Sequence, residues 1–171
     1  MKLTNATPIE TERKFLIRKP DGAFLAALEG CTVSDITQTY LLNEDGNTER
    51  VRRRVYADRT VYTHTVKKRI SPMSALEQER EISPDEYARL LTRADPARRP
   101  IIKTRYAVPY AGHTAEIDVY PFWNRQAVLE IELQSENDGV PLPDFVTVIR
   151  EVTGDHSYSN NSLSLKVPEE D

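Results

Sequence analysis

The sequence predicts an α+β fold in which helices pack on an antiparallel β-sheet of about eight strands. Several short segments alternate between apolar and polar residues with a period of two, as strands do. Few of these segments are separated by a stretch long enough for a helix, which favours antiparallel pairing over parallel βαβ units. Three other segments have the spacing of amphipathic helices. These helices are the available partners for the apolar faces of the sheet.

The period-two pattern defines eight candidate strands. In most of them charged residues occupy one face and apolar or small residues the other. The shortest candidate is 38–42. The predicted strands are 9–17, 38–42, 49–56, 60–68, 76–82, 101–108, 114–120 and 128–134.

Three helices are predicted, each with a recognisable boundary. The first covers 21–28 and has a glycine just beyond its end. The second begins at Ser83, which forms a capping box with Glu86, and Pro84 occupies the first helical position. In the third, 144–152, apolar residues recur at i, i+3, i+4 and i+7.

Composition and charge narrow the class of protein. A chain of 171 residues fits one domain, 1–171, and its formal net charge of −4 is not typical of a general nucleic-acid binder. The single Cys31 cannot form an intramolecular disulfide, which favours a reducing, cytoplasmic compartment. We expect neither a membrane span nor a signal peptide, because no apolar run approaches the necessary length. Glycine-rich nucleotide-binding loops and zinc-like histidine spacing are absent from the sequence.

Charges of one sign are grouped along individual strands. Two interpretations fit this pattern. A solvated outer face with cross-strand ion pairs is the commoner outcome for such spacing. Alternatively, the charged faces point into a closed barrel, where basic residues bind a polyanion and carboxylates bind Mg²⁺ or Mn²⁺. The grouping favours the second interpretation, because like charges repel unless something of opposite charge lies between them. The same-sign groups are Glu10 with Glu12, Arg50 with Arg52 and Arg54, Glu77 with Glu79 and Glu81, Lys103 with Arg105, Glu116 with Asp118, and Glu130 with Glu132.

The order of these motifs resembles that of the CYTH-domain proteins, the triphosphate tunnel metalloenzymes. The segment Glu10–Lys14 matches the ExExK motif that opens the family. The later motifs follow in register over nearly the whole chain. They are Gln38–Leu41 (Q-x-Y-L), Arg50–Arg52 (R-x-R), Thr65–Lys67 (T-[IV]-K), Glu77–Glu79 (E-x-E), Lys103–Tyr106 (K-T-R-Y), Glu116–Val119 (E-x-D-x), Glu130–Glu132 (E-x-E), and Tyr158, Asn160 and Leu163 of a C-terminal helical segment.

The resemblance implies an eight-stranded antiparallel closed β-barrel, a tunnel, with helices packed outside. It also implies an enzyme that uses Mg²⁺ or Mn²⁺ and acts on a small-molecule triphosphate. Our main hypothesis is hydrolysis of inorganic triphosphate. The alternatives are adenylate cyclisation, thiamine triphosphate hydrolysis, and a non-catalytic polyphosphate- or nucleotide-binding module. We expect no nucleic-acid or membrane partner, and a monomer or homodimer.

The resemblance also suggests a role for each charged residue. Lys14, with Glu77 and Glu79, is expected to act in catalysis. Three positions depart from the family pattern: Ala75 and Ser157 stand where basic residues are frequent, and His64 where an aliphatic residue is usual. The expected substrate-binding residues are Lys14, Arg50, Arg52, Lys67, Lys103 and Arg105, and the expected metal ligands are Glu10, Glu12, Asp118, Glu130 and Glu132.

Overall fold

Nine strands and three short helices form within the described part of the chain. The computed structural model describes residues 3–4 and 6–171. The strands are β1 Ile9–Arg18, β2 Thr32–Tyr40, β3 Thr48–Val55, β4 Thr60–Arg69, β5 Ser74–Ile82, β6 Ile101–Tyr110, β7 His113–Val119, β8 Gln126–Leu133 and β9 Val148–Glu151. The helices are α1 Gly22–Ala27, α2 Pro84–Leu91 and α3 Asn160–Leu163, and a 3₁₀ turn, His156–Tyr158, precedes α3.

Strands β1 to β8 close into an antiparallel barrel, as predicted. Their order is β5-β4-β3-β2-β6-β7-β8-β1, and β1 returns to β5. The two seams of β1 differ in length. Eight residue pairs join β1 to β8, whereas three join it to β5: Ile9 with Leu76, Glu10 with Ala75, and Thr11 with Ser74. Closure fixes the direction of every side chain, because alternate residues of each strand must point inward or outward.

Helices α1 and α2 confirm the predicted boundaries. The Asp21 carboxylate caps α1 by accepting from the backbone of Ala23. The Ser83 hydroxyl accepts from the backbone N–H of Glu86, and Pro84 begins α2. Among the residues that the structure describes, no helix has the length and apolar character that a membrane crossing would require.

The predicted helix over 144–152 is wrong. This part of the chain instead contains β9, which pairs with β1 beyond the point where β5 has turned away. Without β9 that edge of β1 would leave backbone groups unpaired. The segment is also rich in β-branched residues, which suit a strand, and its helical spacing of apolar residues arises because Phe145 and Val152 pack into different clusters.

Apolar residues form packing layers both outside and inside the barrel. Outside, Ile17, Ile117 and Leu129 pack with Leu25 of α1. Inside the barrel, at the end where β1 finishes, Trp123 and the C-terminal segment form a second cluster. They pack on strand side chains that point inward, as the charged residues do. The inner cluster includes Leu16, Tyr40, Ile101, Tyr120, Val128, Val152, Tyr158 and Leu163. This cluster occupies one end of the barrel and leaves a charged cavity in the remainder.

Candidate functional site: a charged cavity inside the barrel

The inward faces of the strands enclose a cavity of about 540 Å³. Every substrate-binding, catalytic and metal-binding residue expected from the sequence lines it, except Asp118. Its charged lining consists of Glu10, Glu12, Lys14, Arg50, Arg52, Arg54, Lys67, Arg69, Glu77, Glu79, Lys103, Arg105, Glu116, Glu130 and Glu132. The charged faces therefore point inward, and the alternative of a solvated outer surface is wrong.

Strand register brings opposite charges together across neighbouring strands. Lys67 of β4 lies opposite Glu77 of β5, and its Nζ atom is 3.4 Å from that carboxylate. The same Nζ donates to Glu10 of β1 at 2.6 Å. A lysine on β4 thus joins carboxylates from both strands of the short seam that closes the barrel.

A second group of contacts involves the two arginines of β3. Arg50 lies 3.8 Å from Glu77, and Arg52 donates to Glu79 at 3.1 Å. Burial and the charge of Arg50 lower the pKa of Arg52 to about 10. The buried Nε groups of Arg50 and Arg52 have no acceptor among the described residues. An anionic ligand beside this wall could accept from both nitrogen atoms.

Asp118 lies beneath the cavity and is fully buried. Its carboxylate accepts from the Lys103 Nζ at 2.7 Å and from the Arg105 guanidinium at 2.7 and 2.8 Å. Burial alone would raise its pKa, but Arg105 and Lys103 outweigh burial and hold the pKa low. Both oxygens are engaged by cations, so this geometry favours a positioning role for Asp118 over the direct metal ligation that we expected.

Carboxylates are concentrated where β1 meets β8. Glu12 lies opposite Glu132, and Lys14 opposite Glu130, with 3.5 Å between the charged atoms of the second pair. Burial and the nearby Glu130 raise the pKa of Glu12 to about 8. Burial would also raise the pKa of Glu130, but Lys14 and Arg105 hold it well below the usual value. Negative charge at this wall is only partly compensated by the protein itself.

This wall suits a hard divalent cation. Mg²⁺ and Mn²⁺ prefer oxygen ligands, and Mg²⁺ is commonly held by one or two carboxylates together with substrate phosphates. No three potential metal-binding side chains within 3–4 and 6–171 converge into a preformed centre. The donor set therefore fits an ion that completes its coordination with phosphate oxygens. A cation bound here would offset the burial and the Glu130 charge that raise the pKa of Glu12, and would favour its ionised form.

Several lining residues were missed as site residues. Tyr40 faces the cavity, and its hydroxyl is 2.6 Å from the amide nitrogen of Gln38, which donates to it. Both belong to the set of alternate residues on β2 that point inward, so the period-two pattern could have predicted their direction. They were not chosen because neither is charged. The C-terminal segment contributes polar side chains at the apolar end of the cavity. These are His156, Ser159, Asn160, Asn161 and Ser162.

Two departures from the family pattern have simple structural settings. Ala75 is fully buried in the seam between β5 and β1, opposite Glu10. The Ser157 hydroxyl donates to Asp155 at 2.6 Å within the 3₁₀ turn. Neither residue lines the cavity, so neither position contributes a cation to it.

A closed eight-stranded antiparallel barrel with opposed rows of inward carboxylates and cations defines the class of triphosphate tunnel proteins. The comparisons with solved structures agree. The inorganic triphosphatase NE1496 is 27% identical, with a TM-score of 0.56, and the alignment covers 94% of this chain and 97% of that one. The PH1819 protein from Pyrococcus horikoshii OT3 is 20% identical (TM-score 0.55; 74% and 80% covered) and shows the fold alone.

A candidate adenylate cyclase from Vibrio parahaemolyticus also has this fold, at 12% identity and a TM-score of 0.51, with 74% of this chain and 79% of that one covered. No family model and no curated relative matches the sequence. The resemblance inferred from the motifs is nevertheless confirmed by the structure: the chain forms a closed barrel with a charged interior and is similar to proteins of the CYTH-domain, triphosphate tunnel type.

Proposed function

We propose that this protein is a divalent-metal-dependent hydrolase of inorganic triphosphate. The observation that carries the proposal is the charged cavity. The barrel that encloses this cavity is similar to that of an inorganic triphosphatase, and the alignment covers almost the full length of both chains. The cationic side chains of the cavity complement a chain of phosphates, and hydrolysis by water requires no covalent enzyme intermediate.

The cationic side chains hold the phosphate chain in this proposal. Arginines bind phosphate oxygens in bidentate fashion, and lysines act as point charges. Because the barrel holds these donors before the substrate arrives, they can stabilise charge on the transferred phosphoryl group without reorganising. The residues assigned to this role are Lys14, Arg50, Arg52, Lys67, Lys103 and Arg105.

Carboxylates on β1 and β8 would hold the metal, with Mg²⁺ or Mn²⁺ as the expected ion. The proposed ligands are Glu10, Glu12, Glu130 and Glu132, and Asp118 keeps Lys103 and Arg105 in place. A bound divalent ion supplies charge neutralisation and orients the phosphates. In this proposal Glu77 and Glu79, which line the cavity, orient the attacking water, and Lys14 favours the ionised form of Glu130.

An inorganic chain is favoured over an organic triphosphate. Adenine or thiamine would need an exposed aromatic or apolar surface beside the phosphates. Within the described chain Tyr40 is the one aromatic residue of the cavity lining, and its hydroxyl contacts Gln38. At the end near Arg54 the ring of Tyr56 already contacts two guanidinium groups, at 4.9 and 4.2 Å. A binding module without catalysis would need the cations but not the carboxylates.

The decisive experiment is a phosphate- and pyrophosphate-release screen of the metal-stripped protein. The substrates are inorganic triphosphate, thiamine triphosphate, ATP and longer polyphosphates, each with Mg²⁺, with Mn²⁺ and with EDTA, and cAMP is assayed on the ATP samples. We expect triphosphate to be the best substrate and EDTA to abolish turnover. Full activity in EDTA would contradict the carboxylate roles, and cAMP formation would favour the cyclase alternative.

We further propose that the chain forms one domain, acts in the cytoplasm and functions as a monomer or homodimer. The single cysteine, Cys31, supports a reducing compartment, because it can form no disulfide within the chain. Size-exclusion chromatography with light scattering tests the oligomeric state.

A further inference from the structure

Most cations of the cavity are neutralised by the protein. Six of the eight that line it have a carboxylate oxygen within 4.0 Å. They are Lys14, Arg50, Arg52, Lys67, Lys103 and Arg105, the residues assigned above to binding of the triphosphate.

Arg54 and Arg69 are different. Both line the cavity, yet neither has a carboxylate partner among residues 3–4 and 6–171. Arg54 is half-buried and held in place, because its Nε donates to the Ser34 hydroxyl at 2.8 Å and its guanidinium lies over the Tyr56 ring. Arg69 is exposed, and it also lines a smaller opening beside His156. Within the described lining, these are the two cationic side chains whose charge no carboxylate neutralises.

The two arginines lie level with opposite ends of β4. Arg54 pairs in register with Val61, near the start of β4, whereas Arg69 is the last residue of that strand, eight positions farther along. At the usual rise per residue this is roughly 26 Å along the strand. Inorganic triphosphate, with three phosphorus atoms joined through single oxygens, is far shorter than this span. One triphosphate bound to the paired cations in the middle would therefore leave both end arginines without a phosphate.

We infer that Arg54 and Arg69 bind the outer phosphates of linear polyphosphate chains longer than triphosphate and so set the preference for chain length. The inference rests on the proposed function, since it assumes that the central cations bind phosphates. Each end supplies positive charge that the protein does not neutralise, and each added phosphate supplies the matching negative charge. Cations at the cavity wall that no carboxylate neutralises also attract a polyanion over a longer range.

The test compares kcat/KM for triphosphate with kcat/KM for a linear polyphosphate of medium chain length. The variants are Arg54→Gln and Arg69→Gln. We expect Arg54→Gln to lower kcat/KM for the long chain about tenfold more than for triphosphate, because a fixed, half-buried donor to a charged group is lost. For the exposed Arg69→Gln we expect a differential loss of about threefold. Added salt should lower the wild-type kcat/KM for the long chain more than the kcat/KM for triphosphate.

Neighbouring residues provide matched controls. Each of Arg53→Gln and Lys68→Gln removes one positive charge at the position next to Arg54 or Arg69 on the same strand. Both side chains are exposed on the outer face of the barrel. They should leave the ratio of the two kcat/KM values unchanged. Equal losses on both substrates, or no loss in either arginine variant, would overturn the inference.

The inference and the proposed function fail in different ways. If the wild-type protein hydrolyses triphosphate but neither hydrolyses the long chain nor is competitively inhibited by it, the inference is wrong and the proposed function stands. If the wild-type protein does not hydrolyse triphosphate under any metal condition, the proposed function is overturned and the inference with it.

Discussion

Carboxylates and guanidinium groups at the cavity wall act on different stages of the proposed reaction. Glu132 belongs to the carboxylate group on β1 and β8, whereas Arg52 belongs to the cations that hold the ground-state phosphates. A metal-holding carboxylate acts mainly on charge that develops in the transition state. A phosphate-binding arginine acts on ground state and transition state together.

Alanine variants separate these two roles. We expect Glu132→Ala to cut kcat strongly while metal-free binding of triphosphate stays the same or tightens, because one negative charge leaves an anion site. Arg52→Ala should weaken both binding and turnover, by about 1.5–3 kcal/mol for the lost charged contact. Steady-state kinetics and calorimetry without divalent metal measure the two effects. Wild-type turnover in Glu132→Ala would contradict the metal-binding role proposed for Glu132.

The period-two alternation was enough to predict which charged residues share a face, and the grouping of like charges together with the family resemblance predicted that this face points inward. Once β1 is a strand, Glu10, Glu12 and Lys14 must share a face, and barrel closure turns that face inward. Alternation could not show that Asp118 lies one layer deeper and is held by two cations, because depth along a barrel depends on register. It also gave no reason to single out Tyr40, whose role in the lining follows from position rather than charge.

At the scale of elements, a buried carboxylate on the outer face fixes the chain that follows α2. Glu49 of β3 accepts from Arg93 at 3.1 Å and from Asn43 at 2.8 Å, and it lies 2.9 Å from the ring nitrogen of His64. Burial would raise the pKa of Glu49, but its bonds to Asn43, His64 and Arg93 outweigh burial and lower it. His64, unusual for the family, thus has a structural partner.

The lowered pKa predicts how acid affects this cluster. Because the folded-state pKa lies below the unfolded value, the carboxylate contributes stability at neutral pH and loses it as the pH falls through the folded pKa. We expect Glu49→Gln to cost about 2 kcal/mol at neutral pH and clearly less in acid. Urea unfolding at both pH values measures the difference, with Glu44→Gln in the adjacent loop as control. A cost independent of pH would contradict the proposed ionic contribution.

Element boundaries show where sequence patterns are weak. The segment 38–42 was predicted as a strand, but β2 begins six residues earlier, at Thr32. Both faces of its first half carry polar residues, so hydrophobic alternation is absent there. Strand β9 was mistaken for a helix because its apolar residues contact different layers. In both cases backbone pairing with a distant strand decided the structure.

At the scale of the whole molecule, seven carboxylates and eight cations face one another across a single cavity. Like charges within each group repel when the cavity holds no ligand. We therefore expect triphosphate to raise the melting temperature, since it binds the folded state alone. At one hundred times the dissociation constant the gain is about 2.7 kcal/mol, or roughly 5–10 °C for a domain of this size. Differential scanning fluorimetry over a triphosphate titration measures the shift, and inorganic sulfate is the control anion.

The pairing of β1 with β8 also determines the order in which the barrel can form in a cell. Arg18 ends β1, but β8 does not begin until Gln126, more than one hundred residues later. At ribosomal rates of about 5–20 residues per second, the first strand waits roughly 5–20 s for its main partner. Such distant pairing gives the chain a high contact order, which slows folding. During that wait the edges of β1 and its ExExK segment are open to chaperones and to neighbouring nascent chains.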